Sequence, residues 1–504
     1  MSSIILATLG AAICLATPFL SPALFPLVWV AFVPLFWSLQ RAQTLRRAVF
    51  LGWLMGLIAH VLGFHWLVYT ISAFGEFPLA ASVLVFLAYA ASQAIQMAIL
   101  ALLIYTCGFG PLQVFPALFW VSLEFLFPLL FPWHIANSQV SFLWVIQSAD
   151  LVGPYGVGFV VMWSNAAIYH AVAYRDETAV KRFLPLAYAA LALLVSLVYG
   201  YQRLEVVGAD MAAARKLSVA AVQGNVDIDM KWNPALAQKN LEQHRSLSAD
   251  LPAFDLVIWP ESAVEAVIPD ELPALPMDVM PTFKSDQTRF IFGSKSYTGQ
   301  PGRKDFNAFN TAFFTDANGK ILGRYHKQVL LAFGEYLPFA KILSHLPAMP
   351  FADGFTAGAG PVVFYLPRSV RIAPLICYED LMPELARQFV GETRANVLVN
   401  LTNDAWYGKT IGPWQHLWLA QSRAIETRRS LLRVTNTGVT SLVNAKGEVV
   451  KTLPMFTPAV MQTEVEVLNE QTYYVRFGDW FAWGITIAVL GIALLHWKRT
   501  WKKN

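Results

Sequence analysis

Of the 70 charged side chains in this 504-residue chain (37 Lys and Arg, 33 Asp and Glu), only 11 fall in the first 200 residues. That region divides into seven mostly apolar stretches, near 3–20, 23–40, 49–70, 79–106, 112–131, 155–173 and 183–201. A helix needs about 20 such residues to cross a hydrocarbon core, so each stretch is read as a span. An eighth candidate at 480–497 closes the chain. The breaks carry turn chemistry, as in Ser21-Pro22, Gly75-Glu76-Phe77-Pro78, Gly108-Phe109-Gly110-Pro111 and Gly153-Pro154, where the backbone must leave the helix. With 56% hydrophobic residues and a mean hydropathy of +0.47, a purely soluble protein is excluded. A net charge of +4, thinly scattered, also argues against a nucleic-acid partner.

Short-loop cations set the expected orientation. Arg41, Arg46 and Arg47, then Arg175, Lys181 and Arg182, then Lys498, Arg499, Lys502 and Lys503 all fall on one side of an eight-span scheme. The loops at 71–78 and 132–154, on the other side, hold no Lys or Arg. The positive-inside bias therefore puts both termini in the cytoplasm and turns the segment 202–479 outward, which in a bacterium means the periplasm. Its single cysteine, Cys377, is then expected to be a free thiol even though that compartment favours disulfides. Cys14 and Cys107, in apolar surroundings, are read as inert.

From about residue 216 the pattern changes to short apolar runs bounded by Pro, Gly and Asn. Strands are predicted at 217–223, 255–259, 289–293, 310–315, 321–325, 371–376, 396–400, 431–436 and 440–443, with helices at 233–249, 381–391 and 412–429. Nearly continuous apolar strands alternating with polar helices indicate a two-sheet α/β sandwich, each sheet covered on both faces. The expected organisation is a membrane domain over 1–201, an outward α/β domain over 216–470, and the last span at 480–497.

Three chemically apt residues each stand just after a predicted strand. Cys377 follows RIAPLI and precedes a helix opening near Leu381. The helix dipole and a nearby cation are expected to lower its thiol pKa; a small buried hydrophobe is the bland alternative. Glu261, in WPES, is placed to take a proton from a thiol, and Lys327, in YHKQVLLAFGEYLPF, to stabilise an oxyanion. Alone, these would be a solvated loop acid and a surface lysine.

WPES at 259–262, YHKQVLLAFGEYLPF at 325–339 and ICYED at 376–380 resemble the Glu, Lys and Cys signatures of the nitrilase (carbon-nitrogen hydrolase) superfamily. Flanked by upstream and downstream spans, they are similar to its apolipoprotein N-acyltransferase family, and AVQGN at 221–225, KW at 231–232 and TNDAWYG at 402–408 extend the likeness. The resemblance implies a nitrilase-like αββα sandwich, with Glu261 as general base, Lys327 as oxyanion and thiolate stabiliser and Cys377 as nucleophile. It also implies supporting roles for Glu335, Tyr378, Glu379 and Trp232. Physically, Glu335 and Glu379 are candidates to orient Lys327, and Trp232, Trp406 and Tyr407 either line an acyl-chain entry or pack the domain. His326 beside Lys327 is not read as a base, because neighbouring strand residues face opposite ways.

The function so implied is transfer of a fatty acyl chain from a membrane phospholipid, through a Cys377 thioester, to the α-amino group of a diacylglyceryl apolipoprotein. No cofactor or metal is called for, and a monomer in the bacterial inner membrane is expected. The rival reading is a membrane-tethered amidase that hydrolyses a small carbon-nitrogen substrate with the same triad. A transporter or receptor would expect paired charges within the spans, which the sequence hardly offers. Because water must be kept from a thioester, the apolar stretch 336–360 is the candidate lid. Glu124, Asp150 and Glu76 are read as structural.

Overall fold

The computed structural model describes residues 2–227, 235–303, 305–332, 334–336 and 354–501. The chain folds as two compact units, one of Met1–Ile71, Pro78–Val206 and Thr472–Asn504, the other of Ser72–Phe77 and Val207–Gln471.

The first unit is helical. Among the described residues, six helical stretches are long and apolar enough to cross a membrane: Ser2–Leu20, Pro22–Gln40, Leu45–Gly63, Leu79–Cys107, Pro154–Ala173 and Ala179–Ala213. The expected span at 112–131 corresponds to a shorter helix, Phe115–Leu126, after which Phe127 turns extended just before Pro128. At the C-terminal end an apolar helix occupies Trp480–Trp501. Polar side chains repair the breaks. The stretch Pro22–Gln40 changes from a 3-10 helix (Pro22–Trp29) to an α-helix (Val33–Gln40). There Asn165 accepts from the Phe32 N–H at 2.8 Å and donates to the Val28 carbonyl at 2.9 Å, since lipid offers freed backbone groups no partner. Glu124 accepts the Ile135 N–H at 2.7 Å, and Asp150 takes Tyr199 and Arg203, each at 2.7 Å. The acids are thus bonded into the unit, in keeping with their structural reading.

The second unit carries strands β1 (Arg215–Gln223), β2 (Leu256–Ile258), β3 (Val264–Pro269), β4 (Arg289–Thr298), β5 (Asn307–Thr315), β6 (Ile321–His326), β7 (Phe364–Leu366), β8 (Val370–Ile376), β9 (Val397–Thr402), β10 (Leu431–Thr435), β11 (Ser441–Val443), β12 (Val449–Thr452) and β13 (Ala459–Val467). One sheet runs β13-β1-β2-β4-β5-β6, with β3 also on β4; the other runs β12-β11-β10-β9-β8-β7. Each has a parallel centre (β1-β2-β4 and β8-β9-β10) and antiparallel margins. β1 meets β10 and β5 meets β8 across the two sheets, and Phe314 stacks on Phe364 with ring centroids 5.0 Å apart. The outer face of the first sheet is sealed by Val222, Val257, Trp259, Phe290, Phe292 and Phe313 against Leu241 and Leu247 of the helix Ala237–Ala249. On the second sheet the helix Gly412–Thr427 packs on β10 and on the helix Pro383–Thr393. β9 and β10 are buried along their whole length, as strands covered on both faces must be.

The predicted strands and helices all appear, most with small shifts of their ends, while β4 runs on to Thr298, five residues past its predicted end. Four strands go beyond the sequence reading: β3, β7, β12 and β13. The last, AVMQTEVEV, alternates polar with apolar residues in the period-2 pattern of a half-exposed strand.

Candidate active site

Glu261 owes its place to a close approach between two strands. β2 ends at Ile258, paired with Ile291 of β4, and the Trp259 N–H then bonds the Ile291 carbonyl at 2.9 Å. The chain turns through Pro260, whose carbonyl takes the Gly293 N–H at 3.2 Å. A Cβ on Gly293 would stand 2.6 Å from the Glu261 Cα and 2.7 Å from the Ser262 nitrogen, so only glycine lets the loop lie this close. The Glu261 side chain is buried at 7% exposure and its Oε1 accepts the Asn310 amide at 2.8 Å.

Asn310, in the middle of β5, was not singled out by the sequence, yet it joins two carboxylates. Its Nδ2 also donates to Glu335 Oε1 at 3.0 Å, and its carbonyl takes the Lys327 N–H at 2.9 Å. Lys327 follows β6 directly, and its ammonium meets Glu335 Oε2 at 2.7 Å with 2% of the side chain exposed. Burial alone would lower its pKa. Glu335, Cys377 and Glu261 outweigh that and hold it above the ordinary lysine value, so the ammonium stays charged. Glu335 closes its own loop by accepting the Leu331 N–H at 2.8 Å. As expected, His326 turns elsewhere, to Thr311 at 2.9 Å and Asp270 at 3.4 Å.

Cys377 stands at the corner after β8 with φ +52°, a left-handed conformation that a non-glycine residue holds only when its surroundings impose it. Asn400 on β9 donates to the Cys377 carbonyl at 2.8 Å. Glu379, fully buried, clamps the corner to the Lys327 loop. It accepts Ile376 N–H at 2.8 Å on one oxygen, Gln328 and Val329 N–H at 2.7 and 3.0 Å on the other, and the Tyr325 hydroxyl at 2.9 Å. Glu335 therefore pairs with the Lys327 charge, whereas Glu379 grips the backbone around it. Burial pushes the Glu379 carboxyl up to about 7, opposed by Lys327 and the backbone N–H groups.

The expected sign of the thiol shift is reversed. A 3-10 turn, Cys377–Leu381, separates the thiol from the helix Pro383–Thr393. Burial and Glu261 push the Cys377 thiol well above its ordinary value, with Lys327 and Thr402 pulling the other way. At rest the sulfur keeps its proton, and ionisation needs somewhere for that proton to go.

Tyr378 is buried beside the corner and senses Lys327. Tyr407 is buried with its ring edge-on to His416, 5.7 Å between centroids. Trp406 is half-buried in the turn Asp404–Tyr407. Trp232 and residues 337–353 of the candidate lid lie outside the described residues. The far flank of that stretch is tied to the site, with Phe355, Thr356 and Gly358 N–H groups on the carbonyls of Glu335, Ala308 and Lys327 at 2.9, 2.7 and 2.8 Å.

Two family models match the chain. One described as Carbon-nitrogen hydrolase covers residues 218–473, and one described as Apolipoprotein N-acyltransferase N-terminal domain covers 10–167. An apolipoprotein N-acyltransferase of Geobacter metallireducens is 32% identical over 97% of this chain and 94% of its own length. One of Azotobacter vinelandii is 32% identical over 94% of this chain and 91% of its own. Among solved structures, an amidase of the nitrilase superfamily from Nesterenkonia aligns over 51% of this chain and 92% of its own at 17% identity and a TM-score of 0.32. Similarity running through both units and nearly end to end establishes that the chain belongs to the apolipoprotein N-acyltransferase family.

Proposed function

We propose that the protein moves a fatty acyl chain from a membrane phospholipid onto the α-amino group of the N-terminal diacylglyceryl-cysteine of apolipoproteins, in two steps through a thioester on Cys377. In the first step Glu261 takes the Sγ proton as sulfur attacks the ester carbonyl, and Lys327 stabilises the oxyanion. Collapse breaks the ester C–O bond; the departing alkoxide takes the proton from Glu261 and leaves as a lysophospholipid. In the second step the amine attacks the thioester carbonyl, Glu261 accepts a proton from its nitrogen, and the sulfur leaves and takes that proton back. An amide and the free thiol result.

The observation that carries this reading is the chain of contacts around the three groups: Asn310 binds Glu261 at 2.8 Å and Glu335 at 3.0 Å, Glu335 holds the Lys327 ammonium at 2.7 Å, and Glu379 ties the backbone before Cys377 to that after Lys327. Moving the thiol proton to Glu261 leaves the net charge of the buried cluster unchanged. That makes the transfer far cheaper than releasing the proton to water from a low-dielectric site. The second unit would face the periplasm with both termini cytoplasmic, so that enzyme, donor and acceptor share one leaflet and encounter is confined to a surface.

The test is intact-protein mass spectrometry of the full chain in detergent micelles after mixing with phospholipid and no acceptor. A fatty-acyl mass increment, removed by hydroxylamine and missing from Cys377→Ala, is the expected result. Wild-type protein that shows no increment in rapid-quench samples overturns the two-step mechanism, and release of free fatty acid at the rate of turnover favours the hydrolase.

A further inference from the structure

Beneath the Cys377 corner lies a buried charged network that the acyl-transfer mechanism does not use. Asp380 belongs to the same 3-10 turn as the nucleophile. Its Oδ1 meets His416 Nε2 at 2.9 Å and its Oδ2 takes Arg433 Nε at 2.8 Å. The other ring nitrogen of His416 meets Asp404 Oδ1 at 2.8 Å. With both nitrogens against carboxylate oxygens, His416 is an imidazolium. Burial and Arg433 push its pKa down, but Asp380 and Asp404 prevail and hold it above the ordinary value. Two anions and two cations then sum to zero, the condition under which so many charges can be taken out of water. The same Asp404 oxygen takes the Thr402 hydroxyl at a long 3.4 Å. A Cβ on Gly438 would stand 2.3 Å from Asp404 Oδ2, so the carboxylate is backed by bare backbone.

Thr402 connects this network to the sulfur. β8 and β9 are parallel with Ile376 beside Leu401, which brings Thr402 alongside Cys377. Side chains two apart on a strand share a face, and Asn400, two residues before Thr402, already reaches the Cys377 carbonyl. The face of β9 that fixes the nucleophile's backbone therefore carries the Thr402 hydroxyl to its side chain.

We propose that Thr402 is a further catalytic residue, donating its hydroxyl hydrogen to the Cys377 sulfur as it ionises, and that Asp404, His416, Asp380 and Arg433 are the frame that positions it. While sulfur is protonated, the hydroxyl rests on its weak bond to Asp404; when Glu261 takes the thiol proton, the hydroxyl hydrogen turns to sulfur. Asp404 by itself opposes the thiolate, and His416 and Arg433 cancel that opposition. A hydrogen bond from Thr402 to the sulfur favours the ionised form. The charged and titratable groups that face the sulfur are Glu261, Lys327, Asp404 and Tyr407.

This inference rests on the thiol reading of Cys377, but its test reads the thiol directly. Alkylation of the full chain in micelles by iodoacetamide is followed across pH by peptide mass spectrometry, with Cys14 and Cys107 as internal references. Thr402→Val keeps the shape and the strand preference and removes the hydroxyl. It is expected to slow Cys377 alkylation by about ten- to a hundredfold near neutral pH and to shift the profile upward, the loss of one hydrogen bond to a charged acceptor. Thr402→Ser should restore the native profile, and His416→Gln should slow alkylation in the same direction. A native profile in Thr402→Val, or a Thr402→Ser no faster than Thr402→Val, overturns the donor role. An unchanged rate in His416→Gln overturns the frame. If Cys377→Ala still becomes acylated, the thioester reading falls while the alkylation result stands.

Discussion

One methyl group added at Gly293 should separate base from nucleophile without touching either side chain. In Gly293→Ala the new Cβ would meet the Glu261 Cα at 2.6 Å, the Ser262 nitrogen at 2.7 Å and the Pro260 carbonyl oxygen at 2.9 Å. All three are backbone atoms, so no rotamer change relieves the clash. Carbon atoms sit comfortably at about 3.5 Å or more, so the WPES turn must retreat by roughly 1 Å. That opens the 3.2 Å bond from the Gly293 N–H to Pro260 and carries the Glu261 carboxylate away from Asn310. Overpacking of this kind costs about 1–3 kcal/mol. A displacement of about 1 Å in a reacting group costs on the order of 100-fold in rate. Rapid-quench mass spectrometry of acyl-enzyme formation should show that fall in rate, with little change in the phospholipid concentration for half-saturation. Melting in micelles should drop by roughly 2–10 °C. Gly484→Ala, which adds the same methyl where no atom other than its own helix backbone stands within 4 Å, is the control. A Gly293→Ala protein that acylates and melts like wild type would refute the placement of Glu261 by this contact.

Two further substitutions probe the supports of the site. Asn310→Leu removes both amide bonds, to Glu261 at 2.8 Å and to Glu335 at 3.0 Å. Bonds to charged groups are worth about 1.5–3 kcal/mol; the acylation rate should therefore fall by roughly 10- to 100-fold in protein that still folds by circular dichroism, and an unchanged rate removes Asn310 from the machinery. Glu379→Gln has a pH signature. Its folded pKa, about 7, lies above its ordinary 4.5, so its contribution to stability is complete below about pH 4.5 and fades as pH rises through 7, by roughly 3 kcal/mol in all. The melting-temperature gap between wild type and Glu379→Gln should accordingly narrow from pH 4.5 to 7.5, and a constant gap would show that this carboxyl does not titrate there.

What the sequence disclosed follows from how local each signal is. The apolar spans need no partner to be recognised, because absence of charge over 20 residues is itself the constraint. Glu261 and Cys377 stood out because each follows an apolar strand within two residues, and Lys327 because it stands just after a strand in the run YHKQVLLAFGEYLPF. Asn310 gave no such signal: in NAFNTAFFT it reads as any polar residue of a half-exposed strand, and its importance arises from two carboxylates distant in sequence. In the helix GPWQHLWLAQSRAIET nothing local marks the His and the Arg as more than polar helix residues, yet both are buried and their partners come from the turn after β8, the turn after β9 and the helix's own Glu426. The thiol's sign was misjudged for the same reason. A helix start downstream is visible locally, whereas a carboxylate delivered from the opposite sheet is not.

β1 and β13 are neighbouring antiparallel strands, and Arg215, where the sheet begins, is paired with Val467, where it ends. Entry and exit of some 250 residues thus stand about 5 Å apart. A domain with coincident ends is a cassette: it fits into a loop of a host without stretching it, and lifting it out leaves a gap that a tight turn can bridge. Such geometry lets the matched carbon-nitrogen hydrolase region, 218–473, sit in the chain between the helices Ala179–Ala213 and Trp480–Trp501 with its two ends side by side. It also predicts that joining Arg215 to Val467 by a short linker and opening the chain at another exposed loop would yield a domain that still folds.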